Sequence, residues 1–115
     1  MRTSVADIVR ETAAKHGLSV AVLLGHCRQR AYAWPRQEAY YRIFTECQHI
    51  SYPEAGRRLG GRDHTTILHG VKAHCKRNGI DYADAVRVRM GENYGPYFHQ
   101  LMSGYAQTME AARVQ

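Results

Sequence analysis

The stretch "LGGRDHTTILHG", from Leu59 to Gly70, decides the fold of this sequence. Its two glycines end any preceding helix, and Asp63 then supplies an N-cap for a new one. At 100° per residue the new helix has an apolar side and an opposite polar, basic side. The apolar side holds Ile67, Leu68, Val71 and Cys75, and the polar side holds Thr65, His69, Lys72 and Lys76. A short helix, a glycine turn and this longer helix predict a helix-turn-helix.

Capping signals upstream predict two further helices. The first begins at Thr3 or Ser4 and ends at Gly17, and a short second helix follows Ser19. The stretch after Gly25 is basic and contains a Trp-Pro pair, which predicts a loop. In that interpretation Trp34 is a hydrophobic anchor at the end of the loop.

A third helix is predicted to start at Pro35, since proline is tolerated in the first helical turn. Its apolar residues recur every three or four positions and should face the core: Tyr40, Ile43, Phe44 and Cys47. Ser51 and Glu54 have the spacing of a capping box and predict a short fourth helix that runs to about Leu59. The helix that starts at Asp63 is the fifth and should end at Asn78 and Gly79.

The composition changes after Gly79. Residues 80–90 predict a short helix, and an apolar stripe between Phe98 and Ala112 predicts an amphipathic one. That stripe either packs back on the domain, which we favour, or forms a helix that pairs two copies into a homodimer or docks on a partner protein. The prediction is therefore all-α, with about five helices in a helix-turn-helix domain over residues 1–79 and a C-terminal helical extension over 80–115.

Composition favours one domain with a polyanionic partner. The chain has 115 residues, and 16 Lys and Arg against 10 Asp and Glu give a net charge of +6. The three cysteines are odd in number and contain no C-x-x-C pair, so we expect no disulfide, metal or cofactor. No signal peptide or membrane-length apolar run occurs, which predicts a cytoplasmic protein without a membrane partner.

The side chains around the start of the fifth helix suit DNA. Small threonines let a helix approach base edges closely, and their methyl groups can contact thymine. Asp63 can accept from cytosine N4, and His64 can donate to a purine N7 or O6. The positive charges that flank these groups are Arg62, Lys72 and Lys76.

The motif "GGRDHTTILHGVKAH", together with "PRQ" at 35–37 and "SYPEAGRRLGG" at 51–61, resembles domain IV of the DnaA family. Domain IV is the C-terminal, TrpR-like DNA-binding domain of these bacterial replication initiators. The resemblance covers roughly residues 4–78, and its separate motifs occur in the right order. It implies binding to double-stranded DNA at boxes of the TTATNCACA type.

The resemblance assigns roles by matching position. Base contacts are implied for Asp63, His64 and Thr65 in the major groove, for Tyr52 and Pro53 at thymine methyls, and for Arg28 in the minor groove. Phosphate contacts are implied for Arg36, Gln37, Arg62, Thr66 and His69. We add Arg30, Lys72 and Lys76 as phosphate contacts because of their charge.

The sequence departs from the family in three places. Tyr52 replaces the usual leucine, the loop "AYAWPRQ" is less basic than usual, and one extra residue precedes Ser51. No G-x-x-x-x-G-K-[ST] phosphate loop occurs in the 115 residues, so we do not expect ATP-driven assembly from this chain by itself.

Three functions remain in view. The first is a site-specific, nucleoid-associated DNA binder that regulates transcription or controls replication, of chromosomal or mobile-element origin. The second is an interaction module that docks on replication or transcription proteins. The third, an enzyme, is not expected, because helical spacing brings no acid, base and nucleophile together. The histidines at 64, 69 and 74 spread around their helix, so we expect no zinc site.

Overall fold

The computed structural model describes residues 4–90, which form six helices and, within that range, no strand. The helices are α1 (Val5–Lys15), α2 (Val20–Leu23), α3 (Arg30–Glu46), α4 (Tyr52–Arg58), α5 (His64–Arg77) and α6 (Tyr82–Met90). The all-α prediction and the helix-turn-helix formed by α4 and α5 are confirmed. The predicted stripe from Phe98 to Ala112 lies outside the described residues.

Local capping explains most helix limits. The Ser4 hydroxyl accepts from the Asp7 amide at 3.0 Å, and Gly17 ends α1 with φ +67°. The Ser51 hydroxyl accepts from the Glu54 amide at 3.3 Å. Only this half of the predicted capping box is recorded, because the Glu54 carboxylate pairs with two arginines of its own helix.

The start of α3 differs from the prediction. The helix begins at Arg30, so the predicted basic loop shortens and Pro35 lies inside the helix. An interior proline lacks the amide hydrogen that would bond the carbonyl of Ala31, at a cost of about 3 kcal/mol. Next to this proline, Trp34 contacts α5, where the Arg77 guanidinium lies 4.5 Å from the Trp34 ring centroid.

The core lies around α3, which packs against α1, α5 and α6. The apolar stripe predicted for α3 is confirmed, with Tyr40, Ile43, Phe44 and Cys47 all buried. Helices α3 and α5 are antiparallel, since Trp34 contacts Arg77 and Tyr40, further along α3, lies against Gly70.

Helix α6 belongs to the same core. Tyr82, Ala85 and Val86 are buried in it, although the sequence places them in a C-terminal extension. Arg89 donates to the Phe44 carbonyl at 3.0 Å and to the Ile50 carbonyl at 2.6 Å. The described part of the extension is therefore hydrogen-bonded to the end of α3 and to the segment before α4.

Candidate nucleic-acid interface

Helix α5 presents one face to the core and another to solvent. Ile67, Val71 and Cys75 are buried, as the helical angles predict, whereas Leu68 is only partly buried. The outer face carries the exposed side chains of Thr65, Thr66, His69 and Lys76. A helix with such a face can enter a DNA major groove.

The first turn of α5 holds a small polar cluster. Asp63 occupies the N-cap position, where its carboxylate accepts from the Thr65 hydroxyl at 2.6 Å. This hydrogen bond, followed by the charge of His64, lowers the pKa of Asp63 and keeps the carboxylate ionised. His64 Nδ1 lies 3.0 Å from Asp63 Oδ1, so Nε2 is the ring nitrogen left for another partner.

A groove of about 550 Å³ separates the outer side of α5 from α3 and the loop at residues 24–29. It brings together six of the residues predicted to bind DNA: Arg28, Arg36, Gln37, Arg62, Thr66 and His69. The groove floor includes Gly70, where an added Cβ would lie 2.4 Å from Tyr40 Cδ2. The missing side chain at Gly70 thus lets α3 and α5 pack closely beneath the groove.

Arg62 joins the loop to the turn of the helix-turn-helix. Its guanidinium donates to the carbonyls of Gly25 and Leu59, and its amide donates to the Gly56 carbonyl at 2.8 Å. Gly56 makes this turn compact, because a Cβ there would lie 1.9 Å from the Arg62 carbonyl oxygen. Loop and turn are consequently held in one position relative to each other.

Arg36 lies beneath the loop. It is 8% exposed, and it donates to the Leu23 carbonyl at 2.8 Å and to the Cys27 carbonyl at 3.1 Å. Burial lowers the pKa of Arg36, and its Nη2 has no hydrogen-bond partner. The resemblance implies a phosphate contact here, but in the structure the side chain mainly positions the loop while adding positive charge under the groove.

The other predicted residues of the loop and α3 lie nearer to solvent. Arg28 is exposed on the loop at the groove edge, and Arg30 is exposed at the start of α3. Gln37 is half-buried, and its Oε1 accepts from Arg77 Nη1 at 2.6 Å. Gln37 therefore keeps its side-chain amide nitrogen for a further acceptor.

Tyr52 and Pro53 differ at the start of α4. Pro53 is exposed, whereas the Tyr52 ring stacks on Phe44 at a centroid distance of 5.9 Å. The Arg89 guanidinium lies 4.5 Å from the Tyr52 ring, and burial raises the pKa of its hydroxyl. The thymine contact implied for this position would require the ring to leave this packing, because the tyrosine is turned inward.

The two lysines of α5 also differ. Lys76 is exposed on the outer face, whereas the Lys72 ammonium lies 5.3 Å above the Tyr82 ring. The cation–π contact draws Lys72 toward α6 and away from the centre of the face. Lys76 is thus the freer of the two for a phosphate.

Charge is segregated over the described surface. Carboxylates pair with cations on the other faces, as in Arg10 with Asp7, Arg42 with Glu11 and Arg87 with Asp84. Among residues 4–90, no ion pair is recorded for five of the cations around the groove and α5: Arg28, Arg30, Arg62, Lys72 and Lys76. This face therefore concentrates the positive charge that a polyanion attracts.

Three residues near the groove were not predicted from the sequence. His26 lines it, and Arg77 follows Ala73 by one turn on the same side of α5. Trp34, predicted as a hydrophobic anchor at the end of the loop, lies within α3 and is 43% exposed. Arg77 follows Thr66, His69 and Ala73 at steps of three and four residues, so helical spacing could have revealed it. The position of Trp34 depends on where α3 begins, which the sequence did not predict.

Two further observations concern the part of the chain that the structure describes. No cluster of three or more His, Cys, Asp or Glu side chains there is arranged to hold a metal ion. None of its helices combines the length and apolarity that a membrane span requires.

Comparison with known proteins identifies the family. The model of the bacterial DnaA protein helix-turn-helix matches residues 5–73. The chain is 42% identical over 71 residues to the chromosomal replication initiator protein DnaA of Roseobacter denitrificans and 45% identical over 71 residues to that of Caulobacter vibrioides. It is 38% identical over 89 residues to the DnaA protein of a Ruegeria species.

These matches cover 62 to 77% of this chain and 14 to 19% of the relatives. The similarity is thus to a small part of each initiator protein, and it includes α4, the turn and most of α5. The match and the helix-turn-helix agree, and both support DNA binding. The chain belongs to the bacterial DnaA helix-turn-helix family.

Proposed function

We propose that this chain binds double-stranded DNA site-specifically, at sites of the DnaA-box type, and does so without catalysis. The proposal rests on the outer face of α5. This face presents exposed threonines and His64, and the lysines and arginines at its edge have no recorded ion pair with a carboxylate. Phosphate contacts would give most of the affinity, and base-edge contacts in the first turn of α5 would give the selectivity.

Each part of the interface has a role in this proposal. The Asp63 carboxylate accepts from a cytosine amino group, and Nε2 of His64 faces a purine, to which it donates when the ring is protonated. The Thr65 methyl group contacts a thymine methyl, and Arg28 enters the adjacent minor groove from the loop. Pro53 gives an apolar contact at the start of α4, with Tyr52 beside it.

Phosphates are held around these base contacts. The groups proposed to hold them are Arg30, Arg36, Gln37, Arg62, Thr66, His69, Lys72 and Lys76. Because Arg36 and Arg62 already donate to backbone carbonyls, they act mainly by fixing the loop and by their charge. The exposed Lys76 and Thr66 are better placed for direct contact.

The biological role follows from site-specific binding to boxes of this type. Such a protein regulates transcription at promoters that carry boxes, or controls replication by competing with or recruiting the initiator. It would act in the cytoplasm at the nucleoid. The rival role, a module that docks on replication or transcription proteins, requires only weak DNA binding that is insensitive to salt.

The test is a fluorescence-anisotropy titration with a labelled TTATNCACA duplex and a shuffled duplex at two salt concentrations. We expect at least about tenfold tighter binding to the box, equal to roughly 1.4 kcal/mol. His64→Ala and Thr65→Ala should each reduce this discrimination by about 1 to 3 kcal/mol. Lys76→Ala and Lys72→Ala should weaken both duplexes alike and lower the salt slope by about one.

Arg87→Ala is the control, because Arg87 is paired with Asp84 on α6, away from the groove. This variant should bind both duplexes as the unmodified protein does. Equal binding to box and shuffled DNA would reject the DnaA-box preference. If the unmodified protein binds neither duplex, the result would favour the docking module.

A further inference from the structure

An exposed tryptophan lies between two arginines where α3 and α5 meet. The guanidinium carbon of Arg30 lies 5.4 Å from the Trp34 ring centroid, and that of Arg77 lies 4.5 Å from it. The Trp34 side chain remains 43% exposed and is the single tryptophan of the chain. We call Arg30, Trp34 and Arg77 the Arg-Trp-Arg cluster.

The cluster concentrates positive charge. Two guanidinium groups share one indole, and within the described chain neither has a recorded ion pair with a carboxylate. The neutral amide oxygen of Gln37 accepts from Arg77 at 2.6 Å, and burial lowers the pKa of Arg77. Because like charges repel, an anion bound between the two groups would stabilise this arrangement.

The N-terminus of α3 adds to the positive electrostatic potential of the cluster. Gln29 is its N-cap residue but makes no side-chain cap hydrogen bond, and no acidic residue lies in the first turn. By contrast, α1 and α4 each have a serine cap and an acidic residue in the first turn. Since a helix N-terminus is partially positive, Arg30 there strengthens the attraction for an anion.

The position of the cluster indicates which anion reaches it. Ala33 and Ala73 line one end of the groove, and Arg77 lies one turn beyond Ala73 on the same side of α5. Arg77 follows Thr65 by twelve residues, or about 18 Å along the helix axis. The cluster therefore lies at the opposite end of α5 from the first turn, which is the turn that would read base edges.

We infer that the Arg-Trp-Arg cluster binds a backbone phosphate of the DNA that flanks the recognised box. Trp34 contacts both guanidiniums through cation–π interactions, and the guanidiniums donate to phosphate oxygens. This inference rests on the proposed DNA binding. It adds a contact with the flank that is independent of sequence and lies outside the residue set that the resemblance implies.

The test compares a short duplex that ends at the box with a duplex extended by about ten base pairs on each side. Binding is measured by anisotropy at several salt concentrations. In the unmodified protein, we expect the extended duplex to bind more tightly and with a steeper salt dependence. Arg77→Ala should weaken the extended duplex by about twofold to fivefold and leave the short duplex unchanged. Arg30→Ala should weaken both duplexes, because Arg30 is also a phosphate contact of the proposed function.

Variants of Trp34 test whether its ring positions the two guanidiniums. Trp34→Ala should lose as much extended-duplex affinity as one arginine variant, whereas Trp34→Phe should keep most of it, because Phe also presents a ring face. Arg10→Ala is the control, since Arg10 is ion-paired with Asp7 on α1 and should bind both duplexes normally. Circular dichroism at 222 nm checks that each variant is folded.

The outcomes separate this inference from the proposed function. Box preference on the short duplex tests the proposed function, and the arginine-dependent gain on the extended duplex tests the cluster. An equal loss on both duplexes in Arg77→Ala would place this arginine within the box and overturn the inference. Normal binding of both duplexes by Arg77→Ala would also overturn it and would favour an acidic protein as the partner of the cluster.

Discussion

Helices α4 and α5 begin in different ways. At α4, the Ser51 hydroxyl accepts a first-turn amide and the Tyr52 ring packs inward on Phe44. At α5, the exposed Asp63 carboxylate accepts from the Thr65 hydroxyl at 2.6 Å and lies 3.0 Å from His64 Nδ1. The start of α4 thus uses its polar and aromatic groups to hold the fold, whereas the start of α5 leaves its groups exposed for a ligand.

The largest loss of stability should come from a change in the turn between α4 and α5. In Gly56→Ala the new Cβ would lie 1.9 Å from the Arg62 carbonyl oxygen, and that backbone cannot move without opening the turn. We expect a loss of about 3 kcal/mol or more in the free energy of unfolding, measured by urea denaturation. Specific DNA binding should fall with it, because α5 loses its position.

Gly70→Ala is the matched comparison. Its Cβ would lie 2.4 Å from Tyr40 Cδ2, which belongs to a side chain and not to backbone. Since a ring can shift, this variant should be less destabilised than Gly56→Ala. The reverse order would show that the compact turn contributes less to stability than the packing of α3 on α5.

Tyr52→Leu should have the next largest effect. The change removes the stack on Phe44 and the contact with Arg89, which together are worth about 1 to 2 kcal/mol of stability. Thermal unfolding followed by circular dichroism measures the loss. Unchanged stability with stronger box binding would mean that the residue at this position serves DNA and not the fold.

Ser51→Ala and Asp63→Ala test the two helix starts directly. Ser51→Ala should cost about 1 kcal/mol of stability and leave box discrimination unchanged, because the hydroxyl caps α4. Asp63→Ala should reduce discrimination more than stability, because its carboxylate is exposed and bonds only within the first-turn cluster. Urea denaturation and anisotropy on the same protein samples separate the two effects.

The smallest effect concerns pH. His74, in the last turn of α5, is buried against Tyr41, and this burial lowers the pKa of its imidazole below 6.5. Below pH 6.5 the unfolded chain binds a proton that the folded chain does not, so stability should fall as the pH decreases toward the folded pKa. His74→Gln should reduce this dependence in unfolding measurements between pH 7.5 and 5.5.

The sequence predicted the helix limits where local signals act alone. Ser4 and Gly17 bound α1, and Asp63 and Gly79 bound α5, because caps and left-handed glycines depend only on neighbouring residues. The start of α3 could not be predicted in this way. Pro35 is a local signal for a helix start, but Trp34 packs against Arg77, which is 43 positions later in the chain.

In the candidate site, too, local features could be predicted and features that depend on distant contacts could not. Helical angles predicted the exposed face of α5, since that face depends on one periodic segment. The position of Arg36 depends on carbonyls of Leu23 and Cys27 across a loop, and that of Tyr52 depends on Arg89 of α6. Such partners are distant in sequence, so neither spacing nor composition reveals them.

The hydrogen bonds of Arg62 have a consequence for the direction of binding. They join the loop to the turn before α5, so both elements approach a duplex as one rigid and asymmetric body. A protein of this shape has a front and a back along the DNA axis. Two sites repeated head to tail would seat successive molecules front to back, whereas two inverted sites would seat them front to front. Under the proposed function, the orientation of a site therefore determines which side of the protein each neighbour meets.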